Sequence, residues 1–357
     1  MPSELSIRQR IALEANAKIR ENMAVLHPLR QLFWECTLRC NLKCRHCGSN
    51  CAQGSPQGDM PLKDFLRTVD AITPHVNPQD VTIIISGGEP LLRSDLEECG
   101  HELYRRGYSW GIVTNGFSLT RERLDSLMEA GIRSMAISLD GLKEEHNWLR
   151  SHAESFDRAA HAIQMLAKDD ELLWDVVTCI HRKNYPTLVG LRNHLANIGV
   201  RNWRIFTIFP MGRAAHVPEL QLSNEEFTGL MEFIKKMRKS GGMHIDFACE
   251  GFLGRYEGEV RDHFYSCNAG ICIASILADG TISACPSIRS HAFYQGNIYE
   301  DDFMETWEHR FQPFRNREWA RKGICADCSF FRYCEGNGIH LHDDNGNLLA
   351  CHLQKLR

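Results

Sequence analysis

The sequence predicts an α/β fold: six strand–helix units building a parallel sheet, open or curved into most of a barrel, followed by a smaller cysteine-rich unit. Three observations predict it. Short apolar, β-branched runs alternate with helix-period patterns from Leu32 to about Met211. Motifs rich in glycine and polar residues follow those runs, so they collect at one end of the sheet. Beyond Lys239-Ser240-Gly241-Gly242, strands shorten, glycines and cysteines multiply, and the 3.6-residue pattern mostly disappears.

In chain order, residues 1–31 read as a helical extension whose apolar positions pack against the barrel. The strands are expected at Leu32–Thr37, Val81–Ser86, Ser109–Thr114, Ser134–Leu139, Asp175–Cys179 and Trp203–Phe209. Leu62, Phe65, Leu66, Val69 and Ile72 have the spacing of an amphipathic helix between the first two. Ser94 with Glu97, and Ser223 with Glu226, have the spacing of capping boxes. The cysteine loop follows strand one, Ser86-Gly87-Gly88-Glu89-Pro90 strand two, Asn115-Gly116 strand three, Asp140-Gly141 strand four and Pro210-Met211-Gly212-Arg213 strand six. Barrel enzymes build their sites at that rim. The expected domains are the 1–31 extension, a barrel over 32–240 and a unit over 241–357 held together by metal rather than by its core.

Bulk composition narrows the function. A chain of 357 residues that is 43% hydrophobic can bury one large core and a smaller one. Its net charge of -4, from 41 basic and 45 acidic residues without long blocks, favours neither nucleic acid nor a membrane surface. No signal peptide or membrane-spanning run is visible, so a cytoplasmic location is expected. There, fifteen cysteines point to metal ligation rather than disulfides.

Cys40, Cys44 and Cys47 form a C-x3-C-x2-C loop. A cubane [4Fe–4S] cluster usually takes four thiolates, so three in one loop leave one iron open to chelate the amino and carboxylate groups of S-adenosylmethionine (SAM). A zinc site is the alternative reading of the triad alone, although zinc prefers C-x2-C pairs and four ligands. Around the triad, Gly87, Gly88 and Glu89 offer flexible backbone and an acceptor for an ammonium group. Asn115 and Ser138 are polar groups at neighbouring strand ends, and Arg150 can bind a carboxylate bidentately.

These motifs resemble the radical SAM superfamily: Cys40-x3-Cys44-x2-Cys47 is similar to its cluster motif, and Gly87-Gly88-Glu89-Pro90 to its methionine-binding motif. Ser138 and Arg150 look like its ribose- and carboxylate-contacting pair. His46 stands where the family usually has an aromatic residue near the adenine. The resemblance covers Phe33 to about Arg213 and implies a partial (β/α)6 TIM-like barrel that cleaves SAM reductively to a 5′-deoxyadenosyl radical.

Cys325-x2-Cys328-x5-Cys334 with the later Cys351 supplies enough thiolates to close a site, which in isolation reads as a zinc ribbon or an iron–sulfur site. With the upstream Cys267-x12-Gly280-x4-Cys285 and the Phe303–Trp307 segment, it resembles the SPASM domain of radical SAM proteins. That resemblance implies one auxiliary [4Fe–4S] cluster on Cys325, Cys328, Cys334 and Cys351. A second, on Cys267, Cys285 and Cys272, would be incomplete, because Gly338 stands where the full pattern has a further cysteine. Cys249 and His340 are candidate substitute ligands, and a degenerate or absent cluster is the alternative. Where SPASM sulfatase-maturing enzymes carry a basic aspartate, this chain has Pro286, which cannot take a proton.

Cys36, Cys51, Cys99, Cys179 and Cys249 fall outside these assignments, and most of them read as buried structural thiols. Cys179, ending a strand at the active rim, is also a candidate hydrogen-atom donor. Glu250 and Asp246 are candidate general bases near the domain junction, where the competing reading is a solvated carboxylate. The family resemblance implies a ribosomally made peptide or protein side chain as substrate and a flavodoxin or ferredoxin as reductant. The alternatives are a radical dehydrogenase, decarboxylase or epimerase of a sugar or other small metabolite, and a zinc-stabilised scaffold without catalysis.

Overall fold

The computed structural model describes residues 5–248 and 250–356. Seven parallel strands form the body of its sheet: β1 (Gln31–Glu35), β2 (Thr82–Ser86), β3 (Ser109–Thr114), β4 (Ile132–Ser138), β5 (Leu173–Ile180), β6 (Asn202–Thr207) and β7 (His244–Phe247). Each pairs with the next in parallel register. The first six match the expected strands to within two residues at each end. One cavity of about 450 Å³ is lined by residues from all seven strands, from Gln31 and Phe33 to His244 and Asp246, so the sheet curls around a common interior.

After α1 (Ile7–Leu26), the helices α2 (Leu62–Ile72), α3 (Leu96–Arg105), α4 (Arg121–Glu129), α5 (Lys143–Arg150), α6 (Ser155–Leu166), α7 (Leu188–Asn197) and α8 (Asn224–Ser240) carry the chain from strand to strand. Their apolar faces determine their docking. α2 buries Phe65, Val69 and Ile72, and Phe65 stacks on Trp34 of β1 with centroids 4.1 Å apart. Burying each such side chain is worth about 1.5–3 kcal/mol.

α8 starts with the expected capping box, Ser223 accepting the Glu226 N–H at 3.2 Å and Glu226 accepting the Ser223 N–H at 2.7 Å. The box expected at Ser94 and Glu97 does not form. α3 begins at Leu96 with Asp95 as its N-cap, and Glu97 instead pairs with Arg123 at 2.7 Å and accepts from Ser126. An ion pair to the next helix has taken the carboxylate that the cap required.

The N-terminal helix departs from the expected packing on the barrel. Leu5 and Leu13 join a cluster with Phe252, Tyr265, Cys334 and Leu353, and Arg20 donates to the carbonyls of Arg332 and Tyr333. α1 therefore lies on the cysteine-rich segment.

That segment extends the same sheet. β8 (Ile273–Ile276) runs parallel to β1 on the side away from β2, and β9 (Thr281–Ser283) and β10 (Gly296–Asn297) follow antiparallel. The Arg289 guanidinium reaches the buried Glu35 carboxylate at the end of β1, 2.6 Å away. Glu35 also accepts the Ala278 N–H at 3.2 Å. No helix among the described residues is long and apolar enough to cross a membrane.

Candidate active site

At the carbonyl ends of the strands lies a cavity of about 290 Å³. Cys40, Cys44 and Cys47 line one wall, with Gly87, Gly88 and Asn115 beside them. His46, Ser138, Arg150 and Cys179 complete the barrel side, and Pro286, Ser287 and Arg289 enter from the C-terminal segment. Of the expected SAM-contacting residues, only Glu89 is missing from the lining.

The two glycines let the loops after β1 and β2 touch. A Cβ on Gly87 would fall 2.2 Å from the Thr37 carbonyl oxygen, and one on Gly88 2.1 Å from that of Arg39. Gly87 also has φ +141°, which side chains disfavour. The approach is sealed by the Gly88 N–H donating to Thr37 O at 2.7 Å and the Glu89 N–H to Arg39 O at 2.9 Å.

Glu89 is completely buried behind the wall. Its carboxylate accepts from Thr114 Oγ1 at 2.6 Å, the Asn115 N–H at 2.8 Å and the Leu91 N–H at 3.1 Å. The carboxylate read from sequence as facing an ammonium group thus fastens the loops after β2 and β3 together. Burial raises its pKa, with the three donors opposing.

Arg150 holds Asp140 through Nε and a terminal nitrogen, both at 2.6 Å, and turns its other terminal nitrogen to Cys44 Sγ at 3.7 Å. Burial alone would raise the Asp140 pKa, but Arg150, His46, His146 and the Cys179 N–H together outweigh it and hold the carboxyl at about 2. Asp140 also accepts the Cys179 N–H at 2.8 Å, which fixes that thiol at the rim. Burial pushes the Cys179 thiol well up, so it is held protonated. Burial, then Arg150, drives His46 down to about 3, leaving a neutral ring whose Nδ1 is buried without a partner among the described residues.

The thiols differ. Burial pushes Cys40 up to about 12, whereas hydrogen bonds led by Cys51 pull Cys47 down to about 5. Three uncrosslinked thiols on one cavity, the glycine-permitted loop contact and an orphaned neutral imidazole fit a [4Fe–4S] cluster with SAM beside it.

In the C-terminal segment, Cys325, Cys328, Cys334 and Cys351 line one enclosed void of about 30 Å³, a donor set suited to a closed cluster. Cys267 and Cys272 lie within electrostatic range of each other, and Cys285, just past β9, packs with Cys267 against the main core. His340 fills the space that a side chain on Gly338 would occupy, its ring 2.5 Å from that Cβ position, and its buried Nε2 has no partner among the described residues. Cys249 lies outside the described residues.

Residues 34–191 match the radical SAM superfamily, and residues 267–329 match the SPASM iron–sulfur cluster-binding domain. The chain belongs to the radical SAM superfamily. It is 26% identical over 325 residues to the AdoMet-dependent heme synthase of Oleidesulfovibrio alaskensis, spanning 86% of this chain and 82% of that one. It is 29% identical over 315 residues to the mycofactocin maturase MftC of Mycolicibacterium smegmatis, spanning 85% and 76%. SuiB of Streptococcus suis, solved with S-adenosylmethionine, superposes with TM-score 0.71 at 16% identity over 95% of this chain and 81% of that one. AnSMEcpe with bound AdoMet and a peptide gives 0.70 at 19% over 92% and 94%.

As a radical SAM protein with a SPASM domain, the chain carries a SAM-site [4Fe–4S] cluster and auxiliary [4Fe–4S] chemistry. Two parts of the site escaped the sequence reading. Cys51, set aside there as a structural thiol, lines the cavity; the signal was Cys47-x3-Cys51, which repeats the Cys40-x3-Cys44 spacing. Arg213 clamps the cysteine loop through the carbonyls of Cys44 at 2.7 Å and Cys51 at 3.0 Å.

Proposed function

We propose that Cys40, Cys44 and Cys47 hold the SAM-site cluster and that the chain abstracts hydrogen from a ribosomally made peptide or a protein side chain. One observation carries the first part: the three thiols share a single cavity with Gly87, Gly88, Asn115, Ser138 and Arg150. When bound and reduced, the cluster supplies the electron that cleaves SAM to the 5′-deoxyadenosyl radical. The protein's share is positional. Arg150 and Asn115 present donors beside the thiols, neutral His46 offers a flat face, and Thr207, Ile208, Phe209 and Pro286 shape the side left for substrate. Cys325, Cys328, Cys334 and Cys351 hold an auxiliary cluster, and Cys267, Cys272 and Cys285 contribute to a second. Flavodoxin or ferredoxin delivers electrons.

The peptide reading is supported by the maturase relative MftC, and the fold is shared with SuiB bound to its precursor peptide SuiA. A second reading, a small-metabolite substrate, is favoured by the heme synthase relatives. Cys179 serves either reading as a hydrogen-atom donor if the reaction is redox-neutral.

The test is anaerobic turnover with SAM and dithionite. 5′-Deoxyadenosine is expected, with deuterium transferred into it from a deuterated peptide encoded beside the gene. Failure to form 5′-deoxyadenosine overturns the catalytic reading. Deuterium arriving from a labelled iron porphyrin instead of the peptide overturns the peptide reading.

A further inference from the structure

Cys51 belongs to none of the ligand sets above, yet it lines the same cavity as Cys40, Cys44 and Cys47 and is only 3% exposed. Its backbone N–H donates to the Cys47 sulfur at 3.4 Å, so the two cysteines meet on the cavity wall. Among the described residues, the other two sulfurs take different donors. Cys40 Sγ takes the Leu42 N–H at 3.5 Å and Asn115 Nδ2 at 3.8 Å, and Cys44 Sγ faces Arg150.

The turn that places Cys51 there is built from several directions. Asn50 adopts a left-handed φ of +53°, folding the chain back under Cys47. Arg213 donates to Asn50 Oδ1 and to the Cys51 carbonyl, each at 3.0 Å, and Arg289 reaches Ser49 Oγ from the C-terminal segment. The Cys40 N–H donates to Ala52 O at 3.2 Å, closing the loop. Two arginines from distant parts of the chain thus hold the turn that carries Cys51 against Cys47.

We propose that Cys51 is a positioning residue whose S–H donates a hydrogen bond to the Cys47 thiolate and raises the reduction potential of the cluster that Cys47 holds. The inference rests on the reading of Cys47 as a ligand. Its physical basis is charge. Reduction adds an electron to an already anionic cluster, and a donor aimed at a ligand sulfur stabilises the more negative state; hydrogen bonds to the sulfurs are among the terms that set such potentials. At Cys47 the proposed donor is a side chain, so substitution removes it while the Cys51 backbone N–H stays in place.

The experiment is a redox titration of the full-length reconstituted enzyme, followed by electron paramagnetic resonance on the signal that changes when SAM is added. Cys51→Ala is expected to keep the iron content and shift the midpoint potential negative. Cys51→Ser, which keeps a donor, is expected to return it toward wild type. If the alanine variant does not fold, Cys51→Val fills the space without a donor and should show the same negative shift.

Cys47→Ala separates the two readings. If it retains the SAM-responsive signal, the assignment of Cys47 as a ligand fails. If it loses the signal while the donor-free Cys51 variants keep the wild-type midpoint, the Cys51 proposal alone is overturned. Loss of cluster iron in Cys51→Ala or Cys51→Val also overturns it, by making Cys51 a ligand.

Discussion

The backbone N–H of Asn115 donates to the buried carboxylate of Glu89 at 2.8 Å, tying the rim of β3 to that of β2 beneath the proposed SAM site. A carboxylate accepts from all three of its donors, and an amide in its place cannot. Glu89→Gln is therefore expected to destabilise the fold by about 1–3 kcal/mol through an unsatisfied or opposed donor, and to weaken SAM binding by loosening the rim. Urea unfolding and SAM titration check this together. Weakened SAM binding at unchanged stability would show instead that Glu89 meets the ligand directly.

Iron content tests the cysteine assignments. Replacing Cys40, Cys44 and Cys47 with alanine is expected to remove about four irons per chain, and replacing Cys325, Cys328, Cys334 and Cys351 to remove about four more. A chain carrying both sets of substitutions should still bind iron through Cys267, Cys272 and Cys285. An iron-free protein there would reduce the auxiliary sites to one.

The Glu35–Arg289 pair is nearly buried and joins β1 to the segment after β9. Breaking such a pair leaves one uncompensated charge, so Arg289→Met is expected to cost about 3–5 kcal/mol. Adding Glu35→Gln should recover much of that loss, because it removes the buried charge while its amide oxygen can still accept the Ala278 N–H. Denaturant midpoints of the single and double variants measure both effects. Equal stability of Arg289→Met and wild type would remove the pair from the junction.

Acid should destabilise the protein through His146. Its Nδ1 accepts the Asp140 N–H and its Nε2 contacts Ser155 Oγ, each at 2.9 Å. Burial, opposed by Asp140, pushes its pKa down to about 3. The unfolded ring binds a proton near pH 6.5, so stability is complete above that value and is lost as pH falls toward 3. Between pH 7 and 5 the loss should be about 2 kcal/mol. His146→Gln should flatten that part of the profile; an unchanged slope in its urea midpoints would reject the assignment.

Much of this was legible in the sequence, for identifiable reasons. The strands were visible because a parallel sheet covered by helices requires continuous β-branched runs, as in Ile83–Ile85 of β2. The cysteine, glycine and Asn115 motifs were visible because each follows a strand, and Ser138 because it ends one, with Arg150 closing the helix after it. Direction was not. Nothing in Gly-Gly-Glu shows that Glu89 turns into the core, and Glu97 left its expected cap for Arg123, a partner remote in sequence. The docking of α1 on the C-terminal segment was hidden likewise, because a helical period gives a face but not the surface it meets.

The parallel pairing of β1 with β8 also constrains assembly. Gln31 takes Ile273 as its register partner, so the outer edge of β1 stays bare until most of the chain has been synthesised. Such long-range pairing slows folding and leaves a strand edge open to other chains. A chain cut after residue 240 should therefore aggregate, while the full chain, by supplying β8 itself, acts as its own chaperone for that edge.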